Sequence, residues 1–294
     1  MKKLLFDPKI LKRHPCFSAE AHHKFGRIHL PVAPFCNIKC GYCDRKYNCV
    51  NESRPGVSSI VVSPEEAINR VREIFDRGQN ISVIGVAGPG DPLANNSTFE
   101  FFEKVKKEFP EVILCLSTNG LYLHEKLPLL KEYGIKTITI TINAVKEETA
   151  QKIYSWVSYG GKIYRGKEAS EILLSNQWRG FREASKEGFF IKINTVLIPS
   201  VNEEEIPAIA ELAGSIGATV MNIIPLIPQA DFKHLQRPSH KMLNSLREHC
   251  SQYISQITHC KHCRADAYGV LGDDRDIELE LLNARIGEVY SEYV

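Results

Sequence analysis

The sequence predicts an α/β protein, a barrel or partial barrel of repeated strand–helix units. Six short runs, at 27–33, 80–87, 111–117, 136–142, 189–196 and 218–224, are rich in Val, Ile and Thr. They are almost continuously hydrophobic, as the strands of a parallel sheet covered on both faces are. Helical periodicity lies between them, at 64–77, 98–109, 122–133, 146–154, 166–187 and 203–216. Strand–helix repetition of this kind implies right-handed crossovers, which wind the sheet toward a barrel.

Taken in order, residues 1–26 read as a polar N-terminal arm carrying Cys16 and three histidines. The first strand leads into a cysteine-bearing loop. Ser63 is placed to cap the first long helix, with Pro64 at its first position and Glu65 and Glu66 in its first turn. Residues 27–228 form the barrel unit. Residues 229–294 form a C-terminal extension with a helix near 239–257, a cysteine pair and a last helix near 274–287.

The composition narrows the function. The chain has 294 residues, of which 43% are hydrophobic, enough for a substantial core. No run approaches the roughly 18 apolar residues of a membrane span. The net charge is +2 with both signs interspersed, so neither nucleic acid nor a membrane is expected as a partner. The opening MKKLLFDPKI lacks a signal-peptide core. Cytoplasmic localisation is the expectation, and nine cysteines there point to metal rather than disulfides.

Cys36, Cys40 and Cys43 fall within eight residues. Three thiols on one loop can hold three irons of a [4Fe–4S] cluster and leave the fourth without a protein ligand. A zinc site more often shows two separated CxxC-type pairs. Cys260 and Cys263 form a second motif, with Cys250 upstream as a third thiol or as a buried structural one. Cys16, Cys49 and Cys115 make a third set. The parity of Cys115 can point it into the barrel, and His29 or His22 can add a nitrogen ligand. The strand ends are polar or glycine-rich: Gly88-Pro89-Gly90-Asp91-Pro92, Ser117-Thr118-Asn119-Gly120, Asn143, Asn194, and Ile224 to Leu226. Ligands of βα folds bind at that end.

The spacing CxxxCxxC, with Tyr42 before the last cysteine, resembles the signature of the radical SAM superfamily. That resemblance implies an open (β/α)6 TIM-like partial barrel, with terminal extensions carrying extra Fe–S ligands. It also implies an iron that chelates S-adenosylmethionine and a 5′-deoxyadenosyl radical. The GPGDP turn looks like the motif that holds the SAM amino group, with Asp91 where Glu is usual. By the same resemblance Tyr42, Gly88, Gly90, Asp91, Ser117, Asn143, Asn194, Ile224 and Leu226 bind SAM.

Longer stretches resemble the nitrogenase cofactor maturases of that superfamily. They include HPCFS (14–18), HLPVAPFCNIKCGYCDRKYNC (29–49), NESRPGV (51–57), IGVAGPGDPLAN (84–95), KIYSW (152–156) and HCKHCRADAYGVLGDD (259–274). The chain looks like the short form without an added carrier-like domain. This resemblance implies that two [4Fe–4S] clusters, K1 and K2, are fused into an eight-iron precursor with a central carbide. The carbide comes from the SAM methyl group and a further sulfur from sulfite. Cys36, Cys40 and Cys43 would hold the SAM cluster. Cys16, Cys49 and Cys115, with His29, would hold K1, and Cys250, Cys260 and Cys263 would hold K2. His22 stays open as the nitrogen ligand, and His259 or His262 in place of Cys250. Glu52 and Arg54 are the candidates for proton movement. Fe–S donor proteins, a cofactor carrier or scaffold and an external electron donor are the implied partners. A radical SAM enzyme with permanent relay clusters and a non-enzymatic Fe–S scaffold are the competing readings.

Overall fold

The computed structural model of the protein describes residues 8–47, 49–51, 60–260, 266–270 and 275–277. Six strands pair in parallel and in chain order. They are β1 (Gly26–His29), β2 (Ile81–Val86), β3 (Ile113–Thr118), β4 (Thr137–Thr141), β5 (Phe190–Leu197) and β6 (Val220–Pro225). The sheet stays open, because β1 and β6 stand at opposite ends of this run. The α/β partial barrel expected from the sequence is the fold. Every residue of β2, β4 and β5 is buried, which explains why those runs lack polar alternation.

A short helix, α1 (Ala19–Lys24), lies in the N-terminal arm, where no helix was expected. The other helices follow the predicted periodicity: α2 (Pro64–Asp76), α3 (Asn96–Glu108), α4 (Leu123–Glu132), α5 (Glu147–Ile153), α6 (Gly166–Lys186), α7 (Ile206–Ile216) and, in the C-terminal extension, α8 (His240–Cys250). At the start of α2, Ser63 Oγ accepts from Glu66 N–H at 3.2 Å, and Glu66 returns a carboxylate oxygen to Ser63 N–H at 2.8 Å. This reciprocal cap satisfies donors that the first turn leaves without partners. The start of α5 is held from elsewhere. Buried Glu205 accepts from the N–H groups of Val145 (2.9 Å) and Lys146 (3.2 Å) and from the Thr149 hydroxyl (2.5 Å).

The helix expected at 239–257 stops at Cys250. Beyond it the chain lies beside β6, where Met221 N–H donates to Ser255 O (2.9 Å) and Ile257 N–H donates to Met221 O (2.8 Å). Those sheet-edge bonds replace helical ones. Ala267–Val270 then pairs antiparallel with β1, and Arg275–Asp276 pairs with it in turn. The C-terminal segment therefore runs from one edge of the open sheet to the other. Apart from 275–277, the expected last helix at 274–287 lies outside the described residues.

A second sheet has no counterpart in the sequence reading. Ile38–Cys40 pairs antiparallel with Tyr154–Tyr159, which pairs with Lys162–Tyr164. It fixes the cysteine loop from outside the barrel. Among the described residues no helix is long and apolar enough to cross a membrane.

Candidate active site

Two cavities adjoin, one at the carboxyl end of the sheet and one inside the barrel, and Asn51, Ala87 and Ser117 line both. The first is walled by Cys36, Cys40, Cys43 and Cys49, with Tyr42, Gly90, Asp91 and Asn119. The second fills the barrel interior and is walled by His14, Cys16, His29, Cys115, Lys192 and Cys260, among others.

Backbone contacts shape the first cavity. Gly41 N–H donates to Ile153 O (2.8 Å), and Cys43 N–H closes a turn onto Cys40 O (3.0 Å). Gly90 N–H donates to Ala33 O (2.6 Å) and Asp91 N–H to Phe35 O (2.7 Å). A Cβ on Gly90 would stand 2.0 Å from the Phe35 carbonyl oxygen, so this close approach requires glycine. The GPGDP turn is thus the floor on which the cysteine loop rests.

Asp91 ties that turn to the end of β3. Its carboxylate accepts from Asn119 N–H (2.6 Å), Leu93 N–H (3.0 Å) and the Thr118 hydroxyl (2.9 and 3.0 Å). Burial raises its pKa to about 6 against the lowering pull of these donors. The Asn119 amide then reaches Asn37 Oδ1 (2.6 Å) and the Cys36 sulfur (3.9 Å). Asn119 is a site residue that the sequence reading left unassigned, although it stands in the polar Ser117–Gly120 strand end.

The three loop thiols are chemically one set. Burial, then the Asp91 carboxylate, pushes Cys36 up to about 12. Burial, then Cys43 and Cys36, raises Cys40. Burial raises Cys43, against Lys39 and Arg45. Thiols that resist ionisation together become thiolates when a cation shared among them replaces the protons. Among the described residues no three His, Cys, Asp or Glu side chains gather as the ligands of one ion do. Soft sulfur donors spread round one cavity instead fit the corners of an iron–sulfide cluster.

Strand parity builds the second cavity. Arg27 and His29 on β1, Val83 and Gly85 on β2, Cys115 and Ser117 on β3, Thr139 on β4, Lys192 on β5 and Asn222 on β6 all line it. These are alternate residues, in keeping with the two-residue period of inward-facing side chains; Val86 and Leu116, out of that phase, also border the cavity. At Gly85 a Cβ would meet His29 Cδ2 at 3.1 Å, so the glycine leaves room for that imidazole. The N-terminal arm and the C-terminal segment close the cavity together. His259 Nε2 lies 3.3 Å from Pro15 O, and the His22 and His259 rings pack at 5.0 Å.

The predicted residues distribute as follows. Cys16, His29 and Cys115 share the barrel cavity with Cys260. Cys49 lies instead on the wall of the cysteine-loop cavity, and its Cβ side meets Gly88. His22 lines neither cavity and meets the His259 ring edge-on. Cys250 ends α8 with its thiol in the apolar core, where burial raises it to about 11. Glu52, Arg54 and Cys263 lie outside the described residues.

Tyr42, Gly90, Asp91 and Ser117 line the cysteine-loop cavity, whereas Gly88, Asn143, Asn194, Ile224 and Leu226 line neither. Asn143 is a hub beneath the first cavity. It donates to the hydroxyls of Tyr42 (2.6 Å) and Tyr154 (3.1 Å) and accepts from Val196 N–H (2.8 Å). Both amide hydrogens are used in these bonds, so Asn143 holds the Tyr42 ring. Asn194 donates to the Asn51 carbonyl at 3.0 Å.

Comparison with known proteins gives the family. Residues 30–213 match the model of the Radical SAM superfamily. A protein from Methanocaldococcus infernus called FeMo cofactor biosynthesis protein NifB is 45% identical over 273 residues, 92% of this chain and 90% of that protein. A Klebsiella pneumoniae protein of the same name is 43% identical over 278 residues, and there the match covers only 59% of the relative. This chain thus spans about three fifths of some of its longer relatives. The crystal structure of Streptococcus suis SuiB bound to S-adenosylmethionine superposes with a TM-score of 0.58 at 12% identity, over 81% of this chain and 51% of that one. That likeness shows the fold. The chain belongs to the radical SAM superfamily and, within it, to the NifB family.

Proposed function

We propose that this protein builds the eight-iron, carbide-centred precursor of the nitrogenase cofactor from two [4Fe–4S] substrate clusters, with the SAM methyl group as carbon source. One observation carries the reading: a cavity walled by the three loop thiols adjoins, through Asn51, Ala87 and Ser117, a second cavity walled by Cys16, His29, Cys115 and Cys260. A reactive species made in the first has a short path to cargo in the second.

Cys36, Cys40 and Cys43 would hold a resident [4Fe–4S] cluster, which when bound supplies the electron that cleaves SAM. The chain's own residues do the rest. Gly90 and Asp91 form the floor of the cavity, and Tyr42, oriented by Asn143 and Asn51, forms a side. Asn119 directs an amide toward the Cys36 sulfur. In the barrel, Cys16, His29 and Cys115 face substrate K1, with buried Lys192 supplying positive charge against an anionic cluster. Cys260 reaches the same cavity from the C-terminal segment, as a thiol of K2 would need to if the two clusters are to touch. Fe–S donor proteins, a carrier or scaffold and an external reductant in the cytoplasm complete the reading.

The test is anaerobic reaction of iron-loaded protein with methyl-labelled SAM and dithionite. Formation of S-adenosylhomocysteine and 5′-deoxyadenosine, with label retained in an acid-labile protein-bound cluster, is the expected result. Formation of 5′-deoxyadenosine alone, with iron and sulfide counts unchanged, would instead identify an enzyme with permanent relay clusters. Absence of 5′-deoxyadenosine would leave only an Fe–S scaffold.

A further inference from the structure

His14 opens the HPCFS segment, next to the thiol of Cys16 in sequence but not itself among the expected ligands. It is 1% exposed and lines the barrel cavity with Cys16, His29 and Cys115. Its two ring nitrogens differ. Nδ1 accepts the backbone N–H of Cys16 at 3.2 Å. Nε2 is buried and has no hydrogen-bond partner. A second buried polar atom of the same wall, Asn222 Oδ1, also lacks one. Buried polar atoms in folded proteins are nearly always satisfied, and two exceptions on one cavity wall point to a polar occupant.

The Cys16 contact decides what His14 can offer. An Nδ1 that accepts carries no proton, so in the neutral ring the proton sits on Nε2. Nε2 then donates. It has no lone pair for iron unless the ring changes tautomer and turns an N–H against the Cys16 N–H. The same bond fixes the ring relative to the Cys16 backbone, and the edge-on Phe17 ring at 4.7 Å braces it.

We propose that His14 is a positioning residue that donates an Nε2–H hydrogen bond to anionic sulfur, a sulfide or thiolate of an iron–sulfur cluster in the barrel cavity. It rests on the reading of that cavity as the seat of cluster cargo. Hydrogen bonds to cluster sulfur stabilise the reduced, more negative state and so raise the reduction potential. His14 would thereby set how easily the cargo is reduced, while Cys16, two residues on, grips its iron.

The experiment uses the full chain carrying Cys36→Ala, Cys40→Ala and Cys43→Ala, so that the loop cluster does not overlap the signal. The protein is reconstituted anaerobically with iron and sulfide. Iron content, the electron paramagnetic resonance spectrum and the midpoint potential are measured for His14, His14→Phe and His14→Gln. The expected result is unchanged iron in His14→Phe with a shift to more negative potential and an altered spectrum. His14→Gln, whose amide N–H falls near the Nε2 position, should recover most of the shift. If the Phe variant does not fold, His14→Asn provides the contrast with Gln, because its shorter amide falls near Nδ1. Loss of iron in His14→Phe would overturn the inference by making His14 a ligand. Identical potentials in all variants would overturn it by removing the contact. A parent protein that binds no cluster would instead sink the reading of the cavity itself, and the inference with it.

Discussion

The two cavities share a wall but are built in opposite ways. The cysteine-loop cavity takes three thiols from eight consecutive residues and holds them with backbone hydrogen bonds from the GPGDP turn and the small antiparallel sheet. The barrel cavity gathers Cys16, His29, Cys115, Lys192, Asn222 and Cys260 from nearly the whole length of the chain. A local motif gives a fixed site for a group that stays. A site assembled from an arm, six strands and a C-terminal segment depends on contacts between distant parts of the chain, and under the proposed function it is the site of the substrate clusters. The two cavities should therefore respond differently to substitution.

The largest effect is expected from Cys40→Ala. It should reduce 5′-deoxyadenosine formation to background while leaving the circular dichroism spectrum intact. Cys115→Ala should separate the two cavities. SAM cleavage should persist, whereas label retained in the protein-bound cluster should be lost. If both activities fell together, the cavities would not be separable. Gly90→Ala forces a methyl group against the Phe35 carbonyl. It should cost about 1–3 kcal/mol by overpacking and also lower SAM cleavage, because the cysteine loop rests there. Glu205→Gln supplies the control. It removes charge-assisted bonds at the start of α5 and should cost a similar 1–3 kcal/mol, roughly, in denaturant melts. Below its melting temperature, SAM cleavage per bound iron should not change. Equal loss of cleavage in both variants would mean that general stability, not the Gly90 contact, governs the loop.

The same contrast explains what could be read before the structure. The six strands were legible because burial on both faces leaves unbroken apolar runs, and Ser63 because capping is local. Inward-facing Cys115 follows from the two-residue period once the strand is known. The small sheet was not legible. Residues 154–159 pair with the cysteine loop more than 110 positions away, and half-exposed strands of three to six residues resemble turns. Cys49, six residues after Cys43, lines the cavity of the loop thiols, as that spacing implies. Asn143 follows a strand end as expected, whereas Asn194 lies inside Phe190–Leu197 rather than at its end; their amides are committed to Tyr42, Tyr154 and the Asn51 carbonyl. Spacing does not reveal a side chain's competing partners.

The central claim is that the barrel cavity is an iron–sulfur site in its own right. It is tested most directly by counting iron and acid-labile sulfide in anaerobically reconstituted protein carrying Cys36→Ala, Cys40→Ala and Cys43→Ala, before and after adding Cys16→Ala and Cys115→Ala. The account predicts that the first protein keeps cluster-bound iron and that the second loses much of it. Loss of all iron on removing the loop thiols alone would contradict it.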